Sequence, residues 1–334
     1  MKRLRVGVIG LGVGEEHIAA YGQHPACELV AVCDVSPEKR AAARQKYPAA
    51  AIMAEAKDIL KHPEIDLVSI ASYDDAHYEQ TLLALQSGKH IFVEKPLCRS
   101  VEELRSIKRC WLGGDGLCLA SNLVLRAAPL YGWLGTQIEK GAFGQVYAFD
   151  GEYLYGRIEK ITEGWRKDVE GYSVIQGGGI HLVDLMLRFL AERPVTVTAA
   201  GNKICTAETD FQYLDYVVAS YVFPSGAIGR ISANFGCVHR HQHIVRVFGT
   251  NGTFFHDDAG ARMHASRDPS RAPVPLNLSP VPATKGALIP DFVDGILNRR
   301  DTRAKTQQEF DVISACVAAD QAVAAGTGVE IEYA

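Results

Sequence analysis

Five short apolar runs, LRVGVIG, ELVAVCD, DLVSIAS, HIFVEK and GLCLASN, alternate with helix-like stretches over roughly the first 120 residues of the chain. The stretches between them, EEHIAAYGQH, SPEKRAAARQKY, AEAKDILKH, DDAHYEQTLLALQSG and SVEELRSIKRCWLG, carry helix-forming residues and helix punctuation. Ser36 followed by Pro37, and Ser100 followed by Glu102 and Glu103, are helix starts, and Gly88 is a stop. Strict alternation of this kind predicts a parallel sheet covered on both faces by helices.

Beyond residue 144 the pattern changes. GQVYAFDGEYLYG, VTVTAAGNKI, YLDYVVASYVF, AIGRISANFG and HIVRVFGT are β-rich, and FPSGA and TNGT are turn signals between strands. Only GIHLVDLMLRFLAE, LIPDFVDGILNRR and QQEFDVISACVAADQAVAAG look helical there. The expected architecture is therefore α/β. An N-terminal dinucleotide-binding parallel sheet (residues 1–122) precedes an α+β domain with an open-faced, mainly antiparallel sheet (residues 123–334). A length of 334 residues suits two domains. The proline-rich stretch 268–282 reads as an irregular excursion.

Composition narrows the partners. Apolar residues at 47% and charged residues at 22% describe a soluble globular chain, and a net charge of −4 with dispersed Lys and Arg excludes nucleic acid as an expected partner. The opening MKRLRVGVIGLGVG is too short and glycine-interrupted for a secretory signal, and no run reaches membrane-span length, so no membrane association and a cytoplasmic location are expected. The eight cysteines are scattered without C-x-x-C pairs, which suggests neither a zinc cage nor a disulfide framework.

VGVIGLGVGEEH follows the first strand signal. Gly10 and Gly12, with Val13 and Gly14, fall in the turn where missing side chains let backbone amides and a helix N-terminus approach a pyrophosphate. The G-x-G-x-x-G pattern is broken, because Glu15 stands where the third glycine belongs and Gly14 comes one residue early. Asp34 ends the second strand signal at the fingerprint's distance. A carboxylate there accepts hydrogen bonds from the adenosine ribose and repels a 2′-phosphate, which favours NAD over NADP. In GKHIFVEKPLC, the residues Glu94, Lys95 and Pro96 lie at a strand's carboxyl end, where open α/β sheets place ligands.

The combination of GLGVG, Asp34, AHYEQTLLALQSGKHIFVEKPL and GWRKD…GGGIHLVD resembles the Gfo/Idh/MocA family of glucose-fructose oxidoreductases and inositol dehydrogenases. The resemblance is strong in the N-terminal domain and general in pattern over the last hundred or so residues. It implies a dinucleotide-binding domain followed by an open-faced α/β domain. It further implies that Lys95 reaches nicotinamide and substrate, that His181 acts in the site, and that Ser72, Tyr73 and His77 lie near the cofactor.

In SVIQGGGIHLVD, His181 and Asp184 are three residues apart and share a helix face, so both can look into one cleft. The glycines Gly177, Gly178 and Gly179 are expected to form a helix entry where backbone comes close to cofactor or substrate. Relatives commonly hold an aspartate four residues before the histidine, and here that position is Gly177. Asp168, Glu170 and Tyr172 are the candidates to replace it. Asn122, Arg126, Tyr155, Arg157, Arg166 and Tyr172 are the candidate substrate-binding residues, the guanidinium groups suiting a carboxylate or phosphate. In HRHQHIVRV, His239, His241 and His243 would share one strand face, read as sheet surface or subunit interface rather than a metal site.

These readings predict an NAD-dependent oxidoreductase acting on a secondary hydroxyl of a sugar, cyclitol or nucleotide-linked sugar. Lys95, His181 and Asp184 are the expected catalytic residues, with His181 the base and Lys95 the cation that stabilises alkoxide character. No metal is expected. A homo-oligomer assembled through the C-terminal sheet is expected. The alternatives are an NAD-dependent glycosidase that oxidises transiently, and a non-catalytic NAD sensor.

Overall fold

In the computed structural model, which describes residues 3–114 and 116–334, the first apolar run becomes strand β1 (Leu4–Ile9) inside a parallel sheet. The other strands are β2 (Cys27–Cys33), β3 (Ala51–Met53), β4 (Leu67–Ile70), β5 (His90–Val93) and β6 (Leu119–Ser121), in the order β3-β2-β1-β4-β5-β6. Helices α1 (Gly14–Gln23), α2 (Pro37–Lys46), α3 (Ala56–Leu60), α4 (His77–Gln86) and α5 (Val101–Gly113) connect them. Both expected serine caps form: Ser36 Oγ accepts from Lys39 N at 3.2 Å, and Ser100 Oγ from Glu103 N at 3.1 Å. Strand order reverses between β1 and β4, and such a switch point is where open sheets of this kind bind dinucleotides. Edge strand β3 carries no sequence signal of its own; of its three residues AIM, one is exposed and two are partly buried.

The second unit opens with helix α6 (Pro129–Glu139) and strand β7 (Val146–Leu154), followed by the short helix α7 (Glu159–Thr162) and helix α8 (Ile180–Leu190). Strands β8 (Thr196–Asn202), β9 (Tyr216–Val222), β10 (Ile228–Asn234), β11 (Gln242–Gly249), β12 (Thr253–Asp257), β13 (Gly260–His264), β14 (Val274–Leu276) and β15 (Val329–Glu330) complete it. They form one sheet in the order β14-β13-β12-β11-β7-β10-β9-β8-β15, antiparallel except where β7 runs parallel to β10. Helix α8 lies on this sheet. A Cβ on Gly151 of β7 would stand 3.1 Å from Leu182 Cβ, and one on Gly229 of β10 would collide with Met186, so these two glycines let the helix settle onto the strands.

The chain then returns. Residues Ala283–Phe310 belong with Met1–Val124 and Ala334, whereas Leu125–Pro282 and Asp311–Tyr333 form the second unit. This corrects the expected single boundary after residue 122. Helix α9 (Ile289–Leu297) presents Ile289, Phe292, Val293 and Ile296 at helical spacing, and they join Ile18 and Tyr21 of α1, Val8 and Phe92 in one core. Removing that face from water is what holds 283–310 to the first unit. The long helix α10 (Arg303–Ala325) follows.

Candidate functional site

Within the first unit, the turn after β1 divides its work among three glycines. Gly10 has φ of +89°, and any Cβ there would strike the carbonyl of Ala71. At Gly12 a Cβ would meet only Lys39 Nζ, 3.9 Å away, so the backbone stands open to a ligand. Gly14, the first residue of α1, would place a Cβ 3.1 Å from Val8 and 3.4 Å from Ala71, so it serves helix-to-strand packing. The glycine that sequence spacing called early thus does the packing of the missing third glycine. Val13 is exposed beside it, and Glu15 turns away to bond Tyr47 Oη at 2.9 Å and pair with Lys46.

Asp34 is buried at the end of β2. Its Oδ2 accepts from Leu11 N at 2.7 Å, and its Oδ1 accepts from Ser36 N at 2.9 Å. Lys39 Nζ lies 3.4 Å from the same carboxylate. These bonds fix a carboxylate beside the glycine turn, with one amide of that turn as its own donor. An open backbone at Gly12, a helix N-terminus and a held carboxylate fit a dinucleotide.

Glu94 and Lys95 follow β5 directly. Glu94 Oε1 accepts from Asn122 Nδ2 at 2.6 Å and from His17 Nε2 at 3.2 Å, while His17 Nδ1 hydrogen-bonds Ser69 Oγ at 2.9 Å. Burial alone would raise the Glu94 carboxyl; His17, Asn122 and the neighbouring Lys95 charge outweigh it and hold the group at about 2. Lys95 therefore extends from a backbone whose preceding side chain is locked as an anion. The Lys95–Pro96 bond is cis, and His77, fully buried, hydrogen-bonds the Pro96 carbonyl at 2.7 Å and the Ser72 carbonyl at 3.2 Å. Ser72 Oγ donates to Gln80, and Tyr73 beside it is half-exposed. His77 is thus a brace between the two loops expected near the cofactor. Asn122, expected to touch substrate, is instead buried behind Glu94 and also donates to the Lys285 carbonyl at 2.8 Å. Its amide acts through Glu94. His17 gave no signal in the sequence beyond its place in the first turn of α1.

Within the second unit, the glycine run meets the protein's own tyrosines. A Cβ on Gly177 would fall on the Tyr172 hydroxyl, and one on Gly178 would fall on the Tyr153 ring. Within the protein, the missing side chains at these two glycines make room for two phenols. Ile175–Gly179 forms a π-helical turn leading into α8. Of the three candidates to replace an acid at 177, Asp168 and Glu170 are exposed and Tyr172 is buried against the gap.

Tyr153 stacks on Tyr155 at 5.7 Å and meets His241 and His243 edge-on, each at 5.2 Å. His181, buried in α8, lies 6.2 Å from His243 with the rings perpendicular. The histidine pair expected on a sheet surface is therefore part of an aromatic cluster, while His239 bonds Asp258 outside it. Arg157 lies over Tyr155 at 5.6 Å, and Arg166 over Trp165 at 4.5 Å. Asp184 is engaged by Arg126, whose Nε reaches both carboxylate oxygens at 3.0 Å and whose Nη2 donates to Oδ1 at 2.6 Å. This pair ties α8 to the segment before α6. Among the described residues, no group of three or more His, Cys, Asp or Glu side chains is placed to hold a metal ion.

A switch-point glycine turn, a carboxylate held beside it and a lysine at a strand's carboxyl end are features of a nicotinamide-dependent oxidoreductase. The model of the oxidoreductase family with an NAD-binding Rossmann fold matches residues 4–112, and the Gfo/Idh/MocA C-terminal domain matches residues 134–255. The chain belongs to the Gfo/Idh/MocA family of NAD-binding oxidoreductases. It is 29% identical over 279 residues to the D-glucoside 3-dehydrogenase of Escherichia coli, covering 78% of this chain and 77% of that one. It is 26% identical over 289 residues to the levoglucosan dehydrogenase of Pseudarthrobacter phenanthrenivorans, covering 76% and 73%. A solved levoglucosan dehydrogenase in complex with NADH and L-sorbose shares the fold at a TM-score of 0.86 and 22% identity, with 99% of each chain covered.

Proposed function

We propose that this oxidoreductase removes hydride from a secondary hydroxyl of a sugar, cyclitol or nucleotide-linked sugar and passes it to NAD. The observation that carries the reading is Lys95 at the carboxyl end of β5, backed by an ionised Glu94, in the same unit as the Gly10–Asp34 dinucleotide turn. The names of the relatives, dehydrogenases of a glucoside and of levoglucosan, support the substrate class.

Gly10, Gly12, Val13 and Gly14 cradle the pyrophosphate, and Asp34 accepts from the ribose. Ser72, Tyr73, His77, Glu94 and Lys95 shape the nicotinamide end. NAD, when bound, supplies the hydride acceptor. Lys95 donates to the substrate hydroxyl oxygen and stabilises its alkoxide character, and His181 takes the hydroxyl proton. Tyr155, Arg157, Arg166 and Tyr172 contact the substrate, while Asp184 and Arg126 keep α8 in place. The second unit is the substrate and oligomerisation domain. Ile228 and Val222, directly paired on neighbouring strands and 53% and 43% exposed, support assembly through its sheet. Eight free cysteines suit a reducing, cytoplasmic compartment.

The test is to incubate the protein with NAD and a panel of free sugars, cyclitols and nucleotide-linked sugars, reading reduced nicotinamide by absorbance. Net NADH formation with one class supports the reading. Glycoside cleavage without net reduction, or NAD binding with no turnover at all, would replace it.

A further inference from the structure

Helix α10 carries a carboxylate that none of these roles uses. Asp320 accepts from Ser173 Oγ at 2.7 Å and from Gln176 Nε2 at 2.9 Å. Ser173 Oγ itself accepts from Gln176 N at 3.2 Å, and Gly177 N donates to the Ser173 carbonyl at 2.8 Å. One side chain thus grips both ends of the turn that opens the glycine segment, and His181 stands one helical turn beyond Gly177. The grip spans 147 residues of sequence between Ser173 and Asp320, so it is a tertiary tie rather than a local cap.

Among the described residues no cation pairs with Asp320; its two donors are neutral. We propose that Asp320 is a positioning residue for the hydride-transfer reaction: its ionised carboxylate sets the entrance turn of α8, and protonating it slackens that turn and lowers turnover. The inference rests on the proposed reading of His181 as the base.

Burial lifts the Asp320 carboxyl to about 6, against the pull of the Gln176 and Ser173 hydrogen bonds. Above that pH both bonds are charge-assisted; below it a proton on Oδ2 sets a donor against the Gln176 amide donor, and a proton on Oδ1 reverses the Ser173 bond, so the charge assistance is lost at both oxygens. Its charge acts on Tyr221 of β9 and on Cys316 one turn earlier on α10, and Asp184 of α8 also acts on Cys316. Burial pushes both Tyr221 and Cys316 well upward, so neither changes charge near 6.

The experiment measures kcat against pH for the wild type and Asp320→Asn, together with amide hydrogen exchange across residues 173–181. Expected is a component of the wild-type acidic limb near the acid's value that Asp320→Asn lacks, the contribution of the proposed base being common to both, with kcat about tenfold lower at pH 8 and NAD affinity unchanged. Protection across 173–181, taken relative to the intrinsic exchange rate at each pH, should fall below the inflection in the wild type alone. Ser173→Ala, which removes one donor, should move the inflection upward, and it carries the test if Asp320→Asn does not fold. Wild-type kcat with an unaltered acidic limb in Asp320→Asn, or no shift in Ser173→Ala, overturns the proposal. If the wild type turns over no sugar, the substrate reading fails by itself. The clamp then stands on a pH-dependent protection factor whose change Asp320→Asn abolishes, and falls if protection across 173–181 is indifferent to pH.

Discussion

The hydroxyl of Tyr172 occupies the position that a side chain on residue 177 would take. One position has the glycine because the other has the phenol, and the two should behave as a unit. Gly177→Ala forces an added methyl into a filled space, which costs about 1–3 kcal/mol. Tyr172→Ala opens a cavity instead. The double variant should lose less than the sum of the two by about 0.5–3 kcal/mol, read from urea midpoints in a double-mutant cycle. Strict additivity would show that the contact carries no energy.

Asp34 is tied to the glycine turn through the Leu11 amide, and the proposed function makes it the acceptor for the ribose. Asp34→Ala should weaken NAD by tenfold or more, the loss of about 1.5–3 kcal/mol for a hydrogen bond to a charged group. It should also bring NADP affinity toward that of NAD, because the repelling charge goes while Lys39 stays. Fluorescence titration of both cofactors measures this, and an unchanged preference would count against the ribose role.

Lys95 is the group whose removal separates chemistry from binding. Lys95→Ala should lower kcat by about 10²–10³ or more, the scale for deleting one donor to a developing oxyanion. NAD affinity should stay near that of the wild type. Retained turnover would sink the assignment.

Glu94 makes acid stability a readout of its network. Its folded-state carboxyl lies at about 2, below the ordinary 4.5, so the network's contribution is fully present above the unfolded value. That contribution is lost as pH falls from about 4.5 through about 2. Glu94→Gln should therefore show a flatter fall of unfolding free energy across this window than the wild type. His17→Ala should steepen nothing and shift the loss to higher pH, because it removes a donor that favours the anion. Urea unfolding at a series of acidic pH values decides both.

What could be read from residues alone was whatever is local. Gly10, Gly12 and Asp34 work at short spacings around one turn, and the Glu94–Lys95–Pro96 run sits at the end of its own strand. The partners that complete these features are remote. Glu94 is held by Asn122 and His17, 28 and 77 residues away, and Arg126 reaches Asp184 across 58 residues. No spacing rule forecasts such pairings. The glycine run read as an approach to a ligand because absence of side chains is visible in sequence, whereas the side chains that fill the space, Tyr153 and Tyr172, are not. Edge strand β3 was silent for another reason: one exposed and two partly buried residues are too few for a periodicity.

The return of residues 283–310 to the first unit means that neither unit is a continuous stretch of polypeptide. A clone ending at Val124 would express a nucleotide-binding sheet stripped of Ile289, Phe292, Val293 and Ile296, leaving the face of Ile18 and Tyr21 without its cover. Any attempt to transplant the cofactor module into another protein has to carry the returning segment with it, splicing residue 124 to residue 283 by a short linker. For this chain, modularity belongs to the folded shape and not to the order of its codons.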